Sequence, residues 1–214
     1  MHWTATLAQF AGLDAKPPPP LPDPPLLSHY LLERTTLPFA ILLGAGVLCF
    51  IILNARKPAK ARRTALIFLL AGIALIITGE FVHTPREKAI ESTKELVHAV
   101  ASGDTRTVDA ALAPQAAVYS DASPQGQPKA VILDKVGSSF GPNGQAPIED
   151  HAILEVQAYI ANPKLAQVQV KVRTTFRGGG PILSWWRLDM TPKADGRWEV
   201  SAIRYLSSSI PFTP

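Results

Sequence analysis

Residues 95–121 read ELVHAVASGDTRTVDAALAPQAAVYSD. The fold turns on the Gly103-Asp104 pair in the middle. Glycine lets a helix end in a left-handed turn, because it has no Cβ to clash. Aspartate caps the next helix, because its carboxylate accepts from the free N–H groups of the first turn. The pair predicts a corner: one helix stops at Gly103, and a second runs from Asp104 to about Leu112, before Pro114. AAVYSD (116–121) then reads as a short strand.

Working outward, Thr84-Pro85-Arg86-Glu87 opens the first helix with a capping Thr, a Pro at the first helical position and a Glu three residues after the cap. Ala89, Ile90, Thr93, Leu96, Val97 and Val100 recur at helical spacing as its apolar face. Downstream, 128–140 reads as a third helix, with Val131, Ile132, Val136 and Phe140 on one side. Four strands follow, at 148–160, 165–176, 182–191 and 197–206. The second alternates apolar and polar residues without a break, and Asp195-Gly196 turns the third into the fourth. Gly178–Gly180 lacks the Lys-Ser/Thr of a phosphate loop and leads into no helix, so it reads as a turn.

This order resembles the nuclear transport factor 2-like (SnoaL-like) superfamily over about residues 85–206. ELVHAVASGDTRTVDAALAPQAAVYSD resembles its opening helix, Gly-Asp corner, second helix and strand. WWRLDMTPKADGRWEVSAIRYL (185–206) is similar to its closing hairpin. The resemblance implies an α+β fold: a cone-shaped domain of three helices packed on a curved, mostly antiparallel sheet. It also implies an apolar pocket and dimerisation through the outer sheet face. The superfamily holds isomerases, polyketide cyclases and dehydratases beside non-catalytic binding and assembly domains, so fold alone does not select among them.

Catalytic residues are sparse. One enzymatic use of the fold pairs an Asp base with Tyr and protonated Asp donors, but the first helix contains no tyrosine. Strict alternation puts Asp150 on one face with Ile148, Ala152, Leu154, Val156, Ala158 and Ile160, and Arg204 on a face with Trp198, Val200 and Ala202. An Asp150–Arg204 pair at the cone mouth, with Tyr119, Asp121 or His98 nearby, is the weak catalytic candidate. It stands against a plain structural ion pair. On the opposite face, Ile153, Tyr159, Trp185, Ile203 and Tyr205 are expected to point away from the helices, as a surface for a partner. The lone Cys49 excludes an intrachain disulfide, and the five histidines lack metal-ligand spacing, so neither metal nor cofactor is expected.

The N-terminal part has a different character. Two apolar runs, 35–54 and 64–82, each approach the ~20 residues that cross a bilayer, and the second holds only Glu80 as a charge. They read as a transmembrane hairpin (35–82) joined by a basic loop, 55–63, ARKPAKARR. Arg56, Lys57, Lys60, Arg62 and Arg63 give that loop five positive charges, whereas 84–214 holds 14 basic and 13 acidic side chains. The sequence pI of about 9.3 therefore comes from one short stretch, and nucleic acid is not an expected partner. The positive-inside rule puts the loop in the cytoplasm and both termini outside, in a bacterium's periplasm. Small residues at 40, 44, 46, 71, 72 and 74 suit close helix contact.

Residues 1–34 form a proline-rich tail, with Trp3, Leu7 and Phe10 at helical spacing and seven prolines between Pro17 and Pro25. The prolines read as a stiff polyproline II spacer, or as a ligand for an aromatic groove. The folded domain covers 84–208, with a short tail at 209–214. The sequence thus reads as an inner-membrane-anchored extracytoplasmic binding or assembly domain. Its expected partners are the lipid bilayer, a second copy (a homodimer) or another membrane or periplasmic protein, and a small apolar ligand. The alternatives are a pocket enzyme of the isomerase or polyketide-cyclase type using Asp150, and an accessory subunit of a larger membrane complex.

Overall fold

The computed structural model describes residues 15–22, 36–54, 58–81, 84–141 and 143–209. The chain divides into two compact units: one spans Asp23–Thr84, and the other joins the chain up to Pro22 with Pro85–Pro214.

The first unit is a helix pair, α1 (Thr36–Asn54) and α2 (Pro58–Phe81). Pro58 opens α2, where a missing N–H costs nothing, and the following Ala-Lys-Ala-Arg-Arg favours helix. Lys60, Arg62 and Arg63 therefore belong to a helix rather than to the loop expected over 55–63, whereas Arg56 and Lys57 lie outside the described residues. Gly46 and Gly72 are buried between the helices: a Cβ on Gly46 would come 2.9 Å from Phe68 Cβ, and one on Gly72 would come 2.9 Å from the Phe39 ring. Gly44 has open space, so the Ala40–Gly44 stripe is not the contact.

Among the described residues no helix is long and apolar enough to cross a membrane. The helix pair expected over 35–82 is present. The tail positions Trp3, Leu7 and Phe10 also lie outside the described residues.

The second unit runs α3 (Pro85–Ser102), α4 (Thr105–Ala111), β1 (Leu112–Ser120), β2 (Ser123–Pro128), α5 (Lys129–Lys135) continuing as a π-helical turn (Val136–Phe140), then β3 (Ile148–Asn162), β4 (Leu165–Phe176), β5 (Pro181–Pro192) and β6 (Trp198–Ser208). The six strands form one curved sheet in the order β2-β1-β6-β5-β4-β3, antiparallel throughout except where β1 runs parallel to β6.

The Gly-Asp corner forms as its residues dictate. Gly103 has φ 71°, and its N–H bonds Val100 O while Asp104 N–H bonds Ala99 O, closing the end of α3. Asp104 Oδ1 accepts from the Arg106 and Thr107 N–H groups, and Oδ2 accepts from Thr107 Oγ1. These bonds, that from the Thr107 hydroxyl first, hold its carboxyl below the usual value of 3.8. The apolar face of α3 buries Ala89, Thr93, Leu96 and Ala99 against Val168, Val170, Leu188, Met190 and Val200 of the concave sheet face. Thr93 satisfies its buried hydroxyl on Ala89 O, 2.8 Å away.

Candidate functional site

Two faces of the sheet must be told apart, and bulges decide the sorting. β4 alternates without interruption, so Ala166, Val168, Val170 and Val172 face the helices and Gln167, Gln169, Lys171 and Arg173 face away. β3 carries extra residues at Glu149, Leu154 and Ala161, and β6 at Ser201 and Leu206. Each extra residue reverses the side on which the following side chains lie.

This corrects the faces expected from strict alternation. Ile153 pairs with Val172 and packs on the core, as does Ile203 opposite Leu188. Tyr205, opposite Trp186, also turns inward, and the two rings meet edge to face at 5.3 Å. Of the five residues expected to form a partner surface, only Tyr159 and Trp185 lie on the outer face, opposite Gln167 and Lys171 respectively.

Asp150 and Arg204 move the other way. Asp150 lies opposite Thr175 on the outer face, where it bonds Arg173 Nη2 at 2.9 Å. Arg204 lies opposite Arg187, with its Nε 3.5 Å from Asp189 Oδ2 and its guanidinium 4.8 Å from the Tyr119 ring centre. The Asp150–Arg204 pair does not form; each has another partner, and neither enters the concave face. Asp121 borders a separate shallow hollow of about 380 Å³ with Tyr205 and Ser207.

On the concave side the structure joins two groups that the sequence had left scattered. His98 of α3 and His151 of β3 meet with Nδ1···Nε2 at 2.6 Å, so one ring N–H donates to the other nitrogen. Burial, and then the neighbouring His98, push the His151 imidazole below 6.5, opposed by Asp150. His98 also borders an open groove of about 360 Å³ with Lys94, Ile153, Glu155 and Val156. The bulge at Leu154 puts Ile153, and with it His151, on the helix side; period-2 reading of β3 cannot anticipate that.

The outer face is not bare. Residues 15–22, KPPPPLP preceded by Ala15, have neither helix nor strand and lie across it. Ser207 Oγ donates to Lys16 O at 2.7 Å, and Gln169 Nε2 donates to Pro19 O at 3.1 Å. Ser207 is on β6 and Gln169 on β4, so the segment crosses β5 between them. Trp185, paired with Ser207 and Lys171, is on β5 and is only 4% exposed. Gln169 is 6% exposed and Ala15 1%. A single sheet buries outward side chains only where something covers them, and here the cover is the chain's own proline-rich segment. Lys171 adds its ammonium 5.8 Å from the Trp185 ring centre. The Trp185 indole N–H is buried without a hydrogen-bond partner among the described residues. No sequence pattern pairs Gln169 and Ser207 with carbonyls roughly 150 and 190 residues away; the cluster of prolines was the one available signal.

No protein-family model and no curated protein matches the chain. Solved structures similar to it include NTF2-like and ketosteroid isomerase-like proteins. An NTF2-like protein from Cytophaga hutchinsonii is 13% identical, over 55% of this chain and 93% of that chain, with a TM-score of 0.47. A ketosteroid isomerase-like protein from Erwinia carotovora atroseptica is 15% identical, over 62% and 100%, with a TM-score of 0.48. The CaMKII hub of S. rosetta is 14% identical, over 59% and 98%, with a TM-score of 0.48.

Proposed function

We propose that the chain is a membrane-anchored, extracytoplasmic binding domain of the nuclear transport factor 2-like kind, with α1 and α2 as its anchor. One observation carries the anchor. Among the described residues thirteen large apolar side chains stand exposed, and eleven of them belong to α1 and α2, among them Ile41, Leu48, Ile52, Ile67 and Leu70. Water would penalise each half-exposed side chain by about 1 kcal/mol relative to burial, and a hydrocarbon layer removes that penalty. The apolar runs that contain them extend over 35–54 and 64–82. Five basic residues between the runs favour a cytoplasmic connection, with the six-stranded unit outside.

Binding is favoured over carboxylate-based isomerisation because Asp150 lies on the outer face and is paired with Arg173. The expected partner surface is that outer face. The full chain, expressed in a bacterium, should sediment with membranes and resist alkaline carbonate extraction. Recovery in the carbonate supernatant would overturn the anchor.

A further inference from the structure

We infer that the outer sheet face is a groove for polyproline II peptides, kept occupied by the chain's own residues 16–22. The inference rests on the reading of this unit as a binding domain and is independent of the membrane anchor. Lys16 and Pro19, whose carbonyls accept the two bonds, are three residues apart. A polyproline II helix has three residues per turn, so these carbonyls leave on the same side, about 9.3 Å apart. Their donors stand on β6 and β4, about 9.6 Å apart across the sheet, and Gln169 lies two residues along β4 from Lys171, the residue level with Ser207 through Trp185, so the segment crosses β5 obliquely. A segment crossing the strands obliquely thus meets one side-chain donor at Lys16 and the next at Pro19, one polyproline turn later.

The side chains complete the groove. Trp185 lies on the strand between the two donors and offers an apolar aromatic wall, the surface on which proline rings pack. Its indole N–H is a buried donor with no acceptor among the described residues, which marks a polar position available to a bound peptide. The ligand needs no N–H of its own, because both bonds run from the sheet to carbonyls. Proline meets that requirement without losing a donor, and its fixed φ lowers the ordering cost. The resident segment is therefore a tethered ligand, and an external proline-rich segment must compete with it.

The test uses the full chain in detergent micelles and a fluorescein-labelled peptide of residues 15–22, read by anisotropy. Replacing the resident prolines (Pro17→Gly, Pro18→Ser, Pro19→Gly and Pro20→Ser together) should free the groove. The freed variant should bind the peptide at least ~10-fold more tightly than the unsubstituted chain. Gln169→Ala added to it should weaken binding about tenfold, as loss of one hydrogen bond does. Because Trp185→Ala risks the fold, Gln169→Ala, on a polar side chain, is the deciding variant. Absence of peptide binding to the freed chain, equal binding to both chains, or indifference to Gln169→Ala would each overturn the groove. None of these results changes carbonate extraction, so failure here is separable from failure of the anchor.

Discussion

At the scale of single residues, position 103 sets the direction of everything after it. Its φ of 71° is open to glycine and strained for alanine, and a side chain would run into the backbone of Gly141. Gly103→Ala should lower stability to urea by about 1–3 kcal/mol, whereas Gly180→Ala, in open space with an ordinary φ, should not. His151 gives a pH signature. Its imidazole is depressed below 6.5 in the fold, so the unfolded chain binds more protons as pH falls through that range. Stability should therefore decrease on acidification from pH ~7.5 to ~5.5, and His151→Asn should flatten the trend in the urea midpoint. The Gly-Asp corner was legible because its cause is local: a missing Cβ and an adjacent carboxylate. The His98–His151 contact was not, because a bulge three residues further along the same strand, at Leu154, determines which side His151 faces.

Among the elements, uninterrupted β4 was read correctly to the residue, and interrupted β3 and β6 were read with parts of their faces reversed. Period-2 alternation is reliable only while the ladder keeps step. A single extra residue at Ser201 puts Ile203 and Tyr205 inside and Arg204 outside. Deleting Ser201 should return Arg204 to the core side and abolish cooperative unfolding followed by near-ultraviolet circular dichroism; an unchanged transition would refute the bulge's role. β2, SPQGQP, went unread because two prolines and a glycine argue against strand. It is tolerated at the edge of the sheet, where one side of the ladder needs no donors. In the helix pair, Gly46→Leu and Gly72→Leu should each overpack against a phenylalanine, at about 1–3 kcal/mol. Gly44→Leu, in open space, should be neutral. Loss of helicity on titration with sodium dodecyl sulfate would distinguish the three.

For the whole molecule, the sequence divided the chain into an apolar part and a nearly neutral domain, and the structure has a boundary at Thr84–Pro85. What composition could not show is that the residues preceding the helix pair return to the sheet. Lys16 and Pro19 join a unit whose other members begin at Pro85. That long-range closure depends on Gln169 of β4 and Ser207 of β6, which share one face only once the sheet is built. The proposed anchor has a definite orientation, with the loop between its helices inside and the sheet domain outside. With Cys49 replaced by alanine, single cysteines at Lys60 and at exposed Asp121 would, in the proposed orientation, carry one reporter on each side. A membrane-impermeant maleimide applied to intact spheroplasts should label Asp121→Cys at once and Lys60→Cys only after permeabilisation. Labelling of Lys60→Cys from outside, or protection of Asp121→Cys, would contradict the account.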